Sequence, residues 1–153
     1  MTERSEEAVS RFMAGYNCAQ ATSSVFAADL GIPEDAILRA ATGFGGGMGR
    51  TGGACGAVTG AILAIGLMAG GTEKEAKDET YALVREFVTR FSARNGSVSC
   101  TDLLGCDLST GEGLRRSREG NLTRTICPRY IRDAVEILEE IRGFATSGQA
   151  PNR

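Results

Sequence analysis

Apolar positions recur at three- and four-residue spacing through most of the chain, the period of helices with one buried face. No segment alternates apolar and polar residues as a half-buried strand would. Ala8, Val9, Phe12, Met13 and Tyr16 share one side of a first helix, which Ser5 can cap and Gly15 ends. Asn17 caps a second, which starts at Cys18 and carries Ala21, Val25, Phe26 and Leu30 to a stop at Gly31. Pro33 suits the first turn of a third, running from Glu34 to Thr42, with acids at its positive end. Thr72 caps the clearest helix, whose stripe is Val84, Phe87, Val88 and Phe91 and whose end is Asn95-Gly96. A short turn follows Ser99, from Cys100 to Leu104, and the polar segment from Ser109 to Gly120 is partly helical. Pro128 opens the last long helix, with a stripe of Ile131, Ala134, Val135, Leu138 and Ile141.

One stretch breaks this pattern. From Gly43 to Gly53 the chain is too rich in glycine for a helix interior, where each glycine costs about 1 kcal/mol relative to alanine. From Ala54 to Ala69 it reads as a helix of mostly small residues. No charge occurs from Thr51 to Thr72, but only Val58, Ile62, Leu63, Ile65, Leu67 and Met68 are large and apolar there. That composition fits a buried or interface helix and not a membrane span. The expected fold is therefore all-α: a bundle of about five to seven helices with a glycine-rich loop before a central buried helix. Residues 1–145 form its single domain, and 146–153, small and proline-bearing, are expected to be a disordered tail.

Composition narrows the chemistry. A chain of 153 residues is long enough for one real core. A net charge of −2 gives no bulk attraction to nucleic acid or to an anionic membrane. Arg115, Arg116, Arg118, Arg124, Arg129 and Arg132 make a basic region, offset by Glu112, Glu119 and Asp133 and read as a solvated face. There is no histidine, so the commonest general base is missing and no cysteine–histidine or serine–histidine pair can form.

Sulfur is what remains. The chain has five cysteines, Cys18, Cys55, Cys100, Cys106 and Cys127. Its charged N-terminus lacks a secretory signal, so a cytoplasmic location is expected, where structural disulfides are rare. Cys18 follows Asn17, Cys55 follows the glycine loop, Cys100 follows Ser99 and Cys127 precedes Pro128, so four sit at predicted helix starts. A helix N-terminus lowers a thiol pKa from about 8.5 toward neutrality. Arg124 and Arg129 flank Cys127, and Arg50 is near Cys55. Cys55 stands out as the nucleophile, with Cys18 or Cys127 as its resolving partner.

Two other readings use the same residues. The cysteines could ligate a zinc ion or an iron–sulfur cluster from distant segments, although no CxxC pair occurs. They could also be packing residues of a helical self-association module, a homodimer through the central helix. Gly52, Gly56 and Gly60 are spaced four apart, as are Gly66 and Gly70, and such spacing lets another helix or subunit come close. Gly47-x-Gly49-x-x-Gly52 matches the dinucleotide-binding fingerprint, but no strand precedes it and the lysine of a phosphate loop is missing.

Four pieces in a fixed order resemble the C-GCAxxG-C-C family of redox-active proteins. They are Tyr16-Asn17-Cys18-Ala19-Gln20, Cys55-Gly56-Ala57-x-x-Gly60 after the glycine loop, Cys100-x-x-Leu103-Leu104-Gly105-x-Asp107, and Cys127-Pro128-x-Tyr130. The central motif of that family is written Gly-Cys-Ala where this chain reads Cys-Gly-Ala, so the match rests on Cys55 and Gly60. The resemblance carries the recurring cysteines to Cys18, Cys55, Cys100 and Cys127, with Cys106 an alternative to Cys100. It implies a thiol-based redox protein, cycling between thiol and disulfide or holding a redox centre. The implied activity is of the thiol–disulfide oxidoreductase kind, with a redox protein or a small thiol as partner.

Overall fold

Small side chains at the centre set how closely the helices pack. The computed structural model describes residues 1–141, and the tail expected at 146–153 lies outside them. In order the elements are α1 (Glu3–Met13), α2 (Cys18–Ser24), α3 (Ala27–Leu30), α4 (Glu34–Ala41), a 3-10 turn (Thr42–Phe44), α5 (Gly45–Met48), α6 (Gly56–Ala69), α7 (Lys74–Asn95), α8 (Cys100–Leu104), α9 (Gly111–Glu119) and α10 (Leu122–Glu140). No strand occurs among the described residues, and the fold is all-α. None of these helices is long and apolar enough to cross a membrane.

The central helix is α6, packed between α2, α7 and α10. Its Ala57, Ala61 and Ala64 are fully buried. A Cβ on Gly60 would stand 2.7 Å from the carbonyl oxygen of Ala19 and 2.8 Å from its Cα, so the backbone of α2 rests directly on α6. The four-residue glycine spacing thus serves a close approach within the chain at Gly56 and Gly60, whereas Gly66 faces nothing within 4 Å. From α7, Leu83, Phe87 and Phe91 fill the core, with the two phenylalanine rings stacked at 5.8 Å. Ile131, Ala134, Val135 and Leu138 of α10 complete it, and α1 closes over α2 and α10. A smaller cluster of Leu104, Cys106 and Leu108 lies beside it, covered by Leu114, Leu122 and Ile126.

Several boundaries differ from those the sequence suggests. Thr2, not Ser5, caps α1, and Ser5 is its reciprocal partner in a capping box. The helix expected from Cys18 to Leu30 breaks after Ser24, where Phe26 donates its N–H three residues back to Ser23 and turns its ring fully into the core. Glu73 and not Thr72 precedes α7. The largest difference is at α10, which starts at Leu122 and contains Pro128. Leu122 and Ile126 bury against Leu104, Cys106 and Leu108, and that burial outweighs the single backbone bond Pro128 cannot make. Cys127 therefore lies inside a helix and not at its start.

Candidate functional site

Each cysteine is held by a different local device. Cys18 opens α2, and a capping box fixes it: the Asn17 side chain accepts from the Gln20 N–H at 2.9 Å, and Gln20 Oε1 accepts from the Asn17 N–H at 3.0 Å. Asn17 Nδ2 also donates to the Thr42 carbonyl at 2.9 Å, tying this helix start to the end of α4. Cys55 precedes α6 and Cys100 opens α8, and the two segments run antiparallel side by side. The Cys55 N–H donates to the Val98 carbonyl at 2.7 Å, and the Cys100 N–H donates to the Gly53 carbonyl at 2.6 Å. Cys127 sits on α10, which the Tyr130 hydroxyl ties to α8 by donating to the Leu103 carbonyl at 2.9 Å.

Glycine makes room for two of these sulfurs. A Cβ on Gly56 would lie 2.7 Å from the Cβ of Cys18, and one on Gly47 would lie 2.7 Å from the Cβ of Cys100. The glycine loop itself is a left-handed turn. Gly46, Gly47, Met48, Gly49 and Arg50 all have positive φ, from 61° to 71°. For Met48 and Arg50 this conformation costs about 1–2 kcal/mol each. Hydrogen bonds hold it, among them Arg50 N–H to the Gly45 carbonyl at 3.1 Å and the Thr51 hydroxyl to the Gly47 carbonyl at 2.8 Å. The letters of the dinucleotide fingerprint thus fall on a backbone turn that no strand precedes.

The four devices converge. Cys18, Cys55, Cys100 and Cys127 line one cavity of about 480 Å³. Phe12, Leu103, Leu108 and Leu114 supply apolar wall, and Asn17, Asn121, Thr123 and Tyr130 supply polar groups. Arg50 and Arg118 also reach it, both exposed to solvent. Cys106 does not line the cavity; it is 5 % exposed, packed between Leu104 and Leu108. Of the two cysteines left open as alternatives, Cys100 is the one at the cavity.

All five thiols are free. Cys18 and Cys127 line the same cavity, and each thiol bears on the titration of the other. The neighbouring Cys127 sulfur raises the pKa of Cys18 well above its ordinary value, with burial adding to the rise. The Cys18 thiol lowers the pKa of Cys127 against the opposing effect of burial. Burial pushes Cys55 up to about 12, although the N–H groups of Ala57 and Val58 at the start of α6 pull the other way. Burial likewise pushes Cys100 up to about 11, with the neighbouring Cys127, Cys106 and Asp107 charges adding. The helix-start effect expected at Cys55 is real in direction, and desolvation exceeds it. The lowering at Cys127 comes from Cys18 and not from a flanking cation, since Arg129 turns its Nη2 toward the Arg94 carbonyl at 3.5 Å.

The sulfurs surround the cavity and do not meet at a point. Among the described residues no three cysteine or carboxylate side chains are gathered closely enough to hold a metal ion. Tyr130 and Arg118 also line the cavity. Tyr130 follows Cys127 at the i, i+3 spacing that puts both on one helix face, a signal present in the letters. Arg118 gives no such signal among its neighbouring arginines.

Helices that carry free thiols to a common cavity define an all-α thiol protein. The chain belongs to the family described as "Putative redox-active protein (C_GCAxxG_C_C)", whose model matches residues 16–141. That span holds all five cysteines. Neither the comparison with curated proteins nor that with solved structures found a match.

Proposed function

We propose that the protein exchanges thiols with disulfides at Cys18 and Cys127. The observation that carries this is that those two side chains line one cavity, where each bears on the titration of the other. The thiolate is the attacking species, and of the cavity cysteines Cys127 is the one whose pKa is lowered. Its sulfur attacks one sulfur of an incoming disulfide and expels a thiolate, leaving a mixed disulfide on Cys127. Cys18 gives its proton to the departing thiolate and attacks the Cys127 sulfur, expelling the second thiolate. The substrate disulfide gains two electrons, and the protein loses two as Cys18 and Cys127 become bonded. A dithiol acting in reverse restores the reduced protein.

This order differs from the one the sequence suggests, in which Cys55 attacks. Cys55 and Cys100, held protonated by burial, line the cavity as neutral thiols and compete poorly for the same disulfide. The test is to equilibrate the reduced chain with a buffer of a small thiol and its disulfide, quench with an alkylating reagent and map the peptides. A Cys18–Cys127 bridge is expected before any other. Bridges at random among the five cysteines, or none, would overturn the assignment.

A further inference from the structure

The charge around the cavity is opposite to that of the molecule. The chain carries 19 acidic and 17 basic residues, yet no aspartate or glutamate lines the cavity, while Arg50 and Arg118 do. Neither arginine makes an ion pair among the described residues, whereas Arg4, Arg11, Arg90, Arg94 and Arg132 each do. Arg50 is held in place at the expense of a left-handed backbone. It also stands between the thiol cavity and a second, polar one of about 340 Å³, lined by Asn17, Thr42, Gly45, Gly46, Gly49 and Arg50. Asn17, Gly46 and Arg50 border both.

From this we infer that the cavity takes a low-molecular-weight disulfide bearing carboxylates, with Arg50 and Arg118 receiving its anionic ends while its sulfurs meet Cys127. The inference rests on the exchange proposed above and names the substrate class for it. The volume of the thiol cavity falls within the range of small-molecule sites. A guanidinium presents paired donors that match a carboxylate, and it holds its charge at any working pH. An anionic disulfide approaching a thiolate meets repulsion, and two unpaired cations at the entrance offset it. Arg50 belongs to the turn after α5 and Arg118 to α9, so a symmetric disulfide with one carboxylate on each half has a separate cation for each end. The polar cavity beyond Arg50 gives one half room to extend.

The experiment compares three disulfides on the reduced full chain: dithiodipropionate, which is anionic, hydroxyethyl disulfide, which is neutral, and cystamine, which is cationic. Rates of formation of the Cys18–Cys127 bridge are read by alkylation and peptide mapping, each divided by the rate of the same reagent with a free small thiol. Dithiodipropionate is expected to exceed cystamine by about tenfold or more after that division. The preference should shrink as salt is raised. The preference for dithiodipropionate over cystamine, taken as a ratio within each variant, should be lost in R50Q/R118Q and regained in R50K/R118K. If the bridge forms with all three reagents at the free-thiol ratios, the substrate class is wrong and the exchange stands. If no reagent produces the bridge, both fall.

Discussion

At Cys127 the acidity is borrowed from a neighbour. The neighbouring Cys18 thiol lowers its pKa, against the opposing effect of burial. Replacing Cys18 by alanine removes that neighbour, so alkylation of Cys127 at pH 7 should slow as its thiolate fraction falls. Cys18→Ser keeps an O–H in place and should retain most of the rate. Equal slowing in both variants would show that a donor at position 18 is not the cause. Cys55 and Cys100, raised to about 12 and 11, should stay unreactive at pH 8 and react only as pH climbs past the ordinary thiol range. The sequence makes the identity of these sulfurs legible, because the absence of histidine leaves little else and the motif order singles them out. It does not make their ranking legible. Proximity to a helix start can be read from letters, whereas depth of burial and the partner across the cavity arise only when α2 and α10 meet.

At the scale of elements, α6 works through what it lacks. Gly60→Ala places a methyl against the Ala19 carbonyl and Cα, both backbone atoms with no freedom to turn aside. Overpacking of this kind costs about 1–3 kcal/mol, and the upper end is expected here, read as a lower denaturation midpoint. Gly66→Ala meets nothing within 4 Å in the interior of the same helix and should stabilise by roughly 0.5–1 kcal/mol. If Gly66→Ala instead destabilises and lowers the apparent mass in solution, that face of α6 is covered by a second copy. Helix positions were readable from period and caps: Asn17 and Ser99 cap α2 and α8 by side-chain hydrogen bonds, as their residue types suggest. The start of α10 was not readable, because Pro128 is a strong local signal for a boundary and the tertiary burial of Leu122 and Ile126 is not written beside it. The same limit hid the left-handed turn, since glycine permits positive φ without requiring it, and Met48 and Arg50 give no hint of it.

For the whole molecule, buried thiols couple folding to pH. Cys55 and Cys100 have folded pKa values above the ordinary 9.0, so the folded protein holds their protons more tightly than the unfolded chain does. Their contribution to stability is complete below the ordinary value and is lost as pH rises through about 11 to 12. The urea midpoint should therefore fall from pH 9 upward, and fall less steeply in Cys55→Ala; identical slopes would remove Cys55 as the source. Cys127 acts in the opposite sense, and Cys18 in the same sense as the other two.

The antiparallel contact of Ala54 with Ser99 has a mechanical consequence. It cinches the root of the α6–α7 hairpin, since the bonds from Cys55 to Val98 and from Cys100 to Gly53 join the segments that flank its two legs. Anything that pries this seam apart carries two sulfurs away from the other pair in a single movement. The amide protons of Cys55 and Cys100 should then trade with deuterium at one common rate, and a ligand gripping either leg should slow both.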